Sequence, residues 1–415
     1  MADKEEETRP GYWPNTLVKP PLDPRTTPTG LTPTAREELL GRTTSMLEDT
    51  LRHGITQRLT HLTQREGTRP MLDIVFGGQY GDEGKGQVAA HAAEEHEYYF
   101  SLRVGGYNAE HRFKNTDNRK FTARVIPSAA WVDPDVKLVL GAGHVLHLGR
   151  LEKEMEQLDQ IWGEGHTANR LFLDPNAAIV PDENRGFDEE TAHRGSTHQG
   201  VGKTVSQKVR RDGTFKVAKD YEQAKPYLAD TVGLMDRWMV AGYEGLAEGS
   251  QGTLLSLDLG HYPYNTGKNV TAAAILGEAG VAPMWIDNII ACYRTVPMRV
   301  PGESGPTGGR EMSWEELEGR ADISIPEQKK TQTDSPEGNR ERVFEWSWDD
   351  FKRSIAINRP DKMVLTFLDW YDGDPEDLID KMESIASVGS HHAEVTLRRD
   401  GPDWSDHRGT VLGGV

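Results

Sequence analysis

The stretch GGQYGDEGKGQ at 77–87 gathers residue types that can handle a phosphate group. Its glycines, Gly81, Gly84 and Gly86 among them, let backbone N–H groups turn toward an anion, and a helix starting beside them adds its positive end. Lys85 stands where it can reach phosphate oxygens. The spacing differs from the ordinary phosphate loop: five residues separate Gly78 from Gly84, and Gly86 rather than Ser or Thr follows Lys85. The acid pair Asp82 and Glu83 is the informative departure. A carboxylate beside a bound phosphate has two chemical uses there, holding Mg²⁺ or taking a proton from a neighbouring substrate.

Such a loop needs a strand before it and a helix after it. MLDIVFGG from Met71 reads as the strand and VAAHAAEEH as the helix. YYFSLRVGG, VKLVLGAG, TLLSLDLG, WIDNIIACYRTV and KMVLTFLD read as further strands, and Leu151, Met155 and Leu158 mark an amphipathic helix. Strands alternating with helices predict an α/β fold with a mainly parallel central sheet flanked by helices. Residues 300–350, rich in Gly, Pro, Glu and Arg, read as mobile loops. Residues 1–70 read as a separate Pro-rich arm with one or two short helices, and 71–415 as the catalytic domain.

The loop at 77–87 resembles the signature of the adenylosuccinate synthetases, and further stretches match that family in order. They are RVGGYNAEHR at 103–112, RVIPSAAW at 124–131, KLVLGAGHVL at 137–146, GSTHQGVGKTVSQKVRRDG at 195–213, EGSQGTLLSLDLGHYPYNTGKN at 248–269 and MVLTFLDWYDG at 363–373. The resemblance implies a P-loop-like nucleotide-binding architecture of that family's type. It also implies a GTP-dependent C–N ligase that uses Mg²⁺, works as a cytoplasmic homodimer, and joins aspartate to IMP through a 6-phosphoryl intermediate. By residue-to-residue match, Asp82 is the base for the purine N1 proton and a Mg²⁺ ligand, His111 the acid at the 6-oxygen, and Lys85 the cation on the transferred phosphoryl group. Gly81, Glu83, Gly84 and Gly86 line the phosphate. Asn108, Thr197, Gln251 and Thr266 hold the monophosphate, Arg211 reaches that of a neighbouring subunit, and Asp369 reads guanine.

Four departures qualify the match. Glu110 replaces a glycine whose carbonyl faces the metal; Phe367 replaces a lysine that stacks on guanine; and the C-terminal portion after Gly373 is short, as in compact archaeal and viral branches. The threonine-rich, arginine-rich amino-acid loop becomes TDSPEGNRERVFEW at 333–346, where Arg340 and Arg342 are the expected contacts. A compact viral branch acts on dGMP and alters the catalytic aspartate, so retention of Asp82 favours IMP. Another purine monophosphate such as dGMP, another amino acid, or a non-catalytic nucleotide-binding protein are the alternatives.

Lys plus Arg is 48 against 66 Asp plus Glu, a net charge of −18, which argues against a nucleic-acid partner. No run of about 18 apolar residues predicts a membrane span, and the acidic first residues lack the apolar core of a secretory signal. The single cysteine, Cys292, excludes an internal disulfide and reads as a buried small residue. The pairs His261–Tyr262 and His391–His392 lack a second cluster at ligand spacing, so neither reads as a metal site. The acidity fits either plain solubility or a salt-rich cytoplasm. In the second case the unfolding temperature and activity should both rise from about 0.1 M toward about 1 M KCl as self-repulsion is screened; melting and activity that stay flat across a KCl series would leave solubility as the reading.

Overall fold

The computed structural model describes residues 72–185, 199–330, 340–401 and 403–413. The arm at 1–70, Thr197 and residues 333–339 of the amino-acid loop lie outside them. The main sheet has nine strands: β1 (Leu72–Gly77), β2 (Phe100–Arg103), β3 (Lys137–Leu140), β4 (Leu171–Leu173), β5 (Gly245–Gly252), β6 (Ile286–Arg294), β7 (Lys362–Thr366), β8 (Glu394–Arg399) and β9 (His407–Gly409). Their spatial order is β9-β8-β7-β6-β1-β5-β2-β3-β4. All neighbours are parallel except β8 and β9. The expected α/β class is therefore present.

Side chains of a strand alternate between faces, and a parallel sheet covered on both sides needs both sets apolar. In β1, Ile74 and Phe76 join one core while Val75 joins the other; in β7, Met363 and Leu365 oppose Val364. The Val75 face is covered by helix α1 (Lys85–Glu95) through Val88, Ala89, Ala92 and Ala93, and by α2 (Leu148–Trp162) through Leu151, Met155 and Leu158. Helix α3 (Val201–Arg210) follows the segment outside the described residues. The other face is covered by α4 (Thr231–Val240) and α5 (Ala272–Ala279), and by two later helices described below. Cys292 is fully buried in β6, and burial pushes its thiol pKa up.

Two expectations require correction. TLLSLDLG is not a strand: the strand precedes it as β5, and Thr253–Leu255 forms a short 3₁₀ turn with Leu254 in the core. β5 is glycine-rich because its neighbours come too close for side chains. A Cβ on Gly245 would lie 2.2 Å from the Phe100 ring, and one on Gly249 would lie 2.8 Å from Ile275. A short apolar run cannot by itself reveal whether it is strand or buried turn.

The second correction concerns 300–350. Much of this segment is structured: Met298–Arg299, Arg342–Phe344 and Glu311–Met312 form a small antiparallel sheet beside helix α6 (Trp314–Ala321). Val296, Met298, Met312, Trp314, Leu317, Val343 and Trp370 make its own core. Its strands are two or three residues long, too short for a periodic signal. Helices α7 (Trp348–Asn358) and α8 (Pro375–Ala386) then cover the second face of the main sheet with Phe351, Ile355, Leu378 and Met382.

Candidate active site

The loop between β1 and α1 is built around the Glu83 carboxylate, which is fully buried. One oxygen accepts from the backbone N–H groups of Gln79 (3.0 Å) and Gly81 (2.8 Å), and the other accepts from Lys85 Nζ at 2.6 Å. Glycines make room for it: a Cβ on Gly77 or Gly252 would fall 2.4 or 2.5 Å from its oxygens. Gly81 and Gly84 take positive φ of 95° and 81°, and Asp82 shares that conformation at 58° with its side chain exposed. Glu83 thus folds the loop from inside rather than facing its open side, a different place from the ligand contact expected of it. Lys85 is buried beside it at the start of α1.

His111 approaches α1 from a short hairpin, His111–Lys114 against Lys120–Ala123. It can do so because residue 86 is glycine, where a Cβ would lie 2.6 Å from the His111 Cβ. Its Nδ1 meets the carboxylate of Glu248 in β5, which also accepts from the Ser128 N–H at 2.6 Å and its hydroxyl at 2.8 Å. Arg103 Nη1 lies 3.9 Å from the same carboxylate. Burial would raise the Glu248 pKa, but His111 and Arg103 bring it down, so it is the ionised partner. Burial, with Arg103, lowers His111 to about 4. With the proton on Nδ1, the neutral ring keeps a lone pair at Nε2, which is buried and has no partner among the described residues. A carboxylate-oriented imidazole with one free nitrogen is built for proton or charge transfer at that nitrogen.

A third group converges from the small sheet and the end of β6. Arg294 Nη1 donates to the Asp82 carbonyl at 2.9 Å, and its guanidinium lies 3.9 Å from the Phe367 ring centre. The Glu341 carboxyl is pushed up to about 8 by burial and the Asp82 charge, against the pull of Arg294 and Arg112. Glu110 pairs with Arg112 and Arg124. Its side chain is thereby committed to two guanidinium groups.

A family model for adenylosuccinate synthetase matches residues 74–219 and 214–378. The chain belongs to the adenylosuccinate synthetase family. The enzyme of Methanococcus aeolicus is 31% identical over 304 residues, 72% of this chain and 85% of that one. An N6-succino-2-amino-2'-deoxyadenylate synthase of Vibrio phage phiVC8 is 30% identical over 346 residues, 81% of this chain and 97% of that one. The succinoaminodeoxyadenylate synthetase of cyanophage S-2L, solved with dGMP and with dATP as an energy donor, has a TM-score of 0.69 at 26% identity, over 83% of this chain and 96% of that one.

For this adenylosuccinate synthetase family member, Asp82, Lys85 and Gly86 follow the C-terminal end of the central strand β1, and His111 packs against Gly86. Asn108 lies in the turn preceding His111, and its buried Oδ1 has no partner among the described residues. Gln251 is the penultimate residue of β5, at a φ of 60°; Thr266, half-buried, donates its N–H to the Leu255 carbonyl at 2.8 Å. Arg211 is exposed in a left-handed turn after α3. Asp369 lies in the 3₁₀ turn Leu368–Trp370, directly after Phe367.

Arg340 and Arg342 are not brought to the loop. Arg340 forks onto Glu327 (2.7 and 2.9 Å) and also reaches Glu315, and Arg342 forks onto Glu311 (2.8 and 2.6 Å). Phe367, which replaces the lysine that stacks on guanine, lies against the Arg294 guanidinium. Sequence reasoning missed Glu248, Arg294 and Glu341. Glu248 had a signal, standing three residues before Gln251 in a matched stretch; the other two stand in segments read as strand and loop.

Among the described residues, His91, Glu95 and His407 come together as a candidate cation cluster. Arg399 lies 2.6 Å from the His91 Nε2, so a cation there would face a fixed positive charge. The cluster is not read as a metal site. Among the described residues no helix is long and apolar enough to cross a membrane.

The His111 pKa has a consequence for stability. Its folded value, about 4, lies below its ordinary 6.5, so the fold favours the neutral ring. That contribution is complete above the ordinary value and is lost as pH falls toward about 4. His111→Gln should therefore flatten the decline in melting temperature between pH 6.5 and 4 relative to the parent protein. Parallel curves for the two proteins would show that folding leaves the His111 pKa at its ordinary value.

Proposed function

We propose that the chain joins the amino group of aspartate to C6 of IMP, driven by a nucleoside triphosphate, with GTP as the donor the family resemblance favours. The observation that supports this reading is that Asp82 and Lys85 stand in one loop, and that the Glu248-oriented His111 packs against Gly86 of that loop with Lys85 as an electrostatic neighbour. Asp82, exposed at the turn, takes the N1 proton of the purine, and the 6-oxygen then attacks the terminal phosphorus as the diphosphate leaves. Lys85 neutralises the phosphoryl oxygens in flight. Burial keeps His111 neutral until an anionic phosphoryl group sits at its Nε2; a proton at that nitrogen then stabilises the charge on the 6-oxygen side. The amine displaces phosphate from C6: the C–N bond forms, the bond from C6 to the phosphorylated oxygen breaks, and the amine's proton passes to the departing phosphate.

The donor set suits Mg²⁺, which takes hard oxygen ligands: the exposed Asp82 carboxylate and the Glu110 carbonyl would hold it. When bound, the ion neutralises phosphate charge. The Glu110 side chain is tied to two arginines, so it is not itself one of those ligands. Exposed Arg211 fits the expected reach into a neighbouring subunit of a homodimer. A second reading, dGMP with an adenine-nucleotide donor, is favoured by the likeness to the two phage enzymes.

Phosphate release with IMP or dGMP, each against GTP, ATP and dATP, and with and without aspartate, decides between the readings. No release with any combination would leave a nucleotide-binding protein. Asp82→Ala and His111→Ala should each lower turnover at least about 10²-fold while monophosphate binding persists. Turnover close to normal in either variant would remove that residue from the chemistry.

The amino-acid contact gives a separate expectation. For Arg340 or Arg342 to bind a carboxylate, each must first leave its glutamate fork. If they do, Arg340→Ala or Arg342→Ala raises the aspartate KM and leaves the IMP KM alone. Unchanged aspartate dependence in both variants would assign the carboxylates to other cations of the site.

A further inference from the structure

Arg294 is the last residue of β6 and is 2% exposed. Its main chain is locked to the phosphate loop: its N–H donates to Gln79 Oε1 at 2.9 Å, and its carbonyl accepts from Gln79 Nε2 at 3.2 Å. Its Nη1 donates to the Asp82 carbonyl. The guanidinium lies over Phe367 and 5.4 Å from the Trp370 ring centre, just before and after Asp369. The side chain therefore bridges the loop that cradles phosphates and the segment expected to read the donor base.

Its other edge is unmet. Nε and Nη2 are buried and have no hydrogen-bond partner among the described residues. These two atoms form the side-on fork with which arginine grips two oxygens of a phosphate. Leaving charged donors buried and unpaired is costly, and a protein that meant Arg294 only as a strut would gain by supplying acceptors. The charges of Asp82, Glu341, Glu83 and Asp369 all bear on the guanidinium, from the loop, the small sheet and the base segment together. Yet no carboxylate bonds this edge among the described residues.

We propose that Arg294 binds the phosphate chain of the donor nucleoside triphosphate, spanning the gap between the phosphate loop and the Asp369 turn. This assignment rests on the triphosphate-driven reaction proposed above. Nε and Nη2 are buried, so reaching the fork requires rearrangement around the guanidinium, on whose face the Phe367 ring lies. Phe367 adopts a φ of 59°, a conformation that bulky side chains avoid, and the Thr295 hydroxyl bonds its carbonyl. Occupation of the site and rearrangement of the base segment are thereby coupled.

The test is calorimetric titration of the full chain and its Arg294→Gln and Arg294→Lys variants with Mg·GTP, Mg·ATP and IMP, beside melting curves without ligand. The expected result is a triphosphate affinity at least about tenfold weaker in Arg294→Gln, a smaller loss in Arg294→Lys, and unchanged IMP affinity. Folded Arg294→Gln that binds triphosphate like the parent overturns the assignment and makes Arg294 a strut. If Arg294→Gln does not fold, Arg294→Lys decides: parental triphosphate affinity overturns the proposal, and a selective loss supports it. A parent chain that binds IMP but neither triphosphate overturns this assignment together with the ligase reading, whereas failure in the variants alone leaves that reading intact.

Discussion

The buried carboxylate of Glu83 is the constraint on which the site depends. With Lys85 it forms a buried ion pair, and removing one partner of such a pair leaves a charge whose burial costs about 3–5 kcal/mol. The same carboxylate gathers the Gln79 and Gly81 N–H groups, and so fixes the turn on which Asp82 is displayed. Gly77 and Gly252 follow from it, since either Cβ would occupy its space. The central strands β1 and β5 are thus shaped by one acid lying between them.

Around that anchor, charge is distributed by burial rather than by exposure. His111 is neutral because water is excluded and Arg103 stands nearby, while Glu248 holds its ring in place. This arrangement responds to an anionic substrate more strongly than an exposed histidine would, because opposing charges act through a poorly screened medium. Glu341, held up at about 8 beside Asp82, shows the same principle with the opposite sign.

The arginines illustrate how spacing misleads. Arg340 and Arg342 stand at the positions where the family resemblance expects amino-acid contacts, two residues apart, at and just before the strand Arg342–Phe344. The carboxylates of Glu311, Glu315 and Glu327 take both forks. The residue between them, Glu341, has Asp82 and Arg294 as its electrostatic neighbours. Which face of a three-residue strand meets a catalytic loop depends on packing by Val343, Phe344 and Trp314, about which local spacing is silent.

The sequence by itself determined the strand–loop–helix at 72–95 and the alternation that makes a parallel sheet, and its ordered motifs pointed to Asp82, Lys85 and His111 as candidates for one site. These were legible because glycine spacing, apolar runs and ordered motifs are local properties of the chain. The tertiary structure decided the rest. Glu83 turned inward, Glu248 became the partner of His111 across 137 residues, and Arg294 came to lie between Asp82 and Phe367. It also turned TLLSLDLG into a buried turn and gave 300–350 a core of its own. Each outcome depends on which distant groups share a dry space, and the free energy of burying a charge or a ring is set by those neighbours rather than by the residues beside it in sequence.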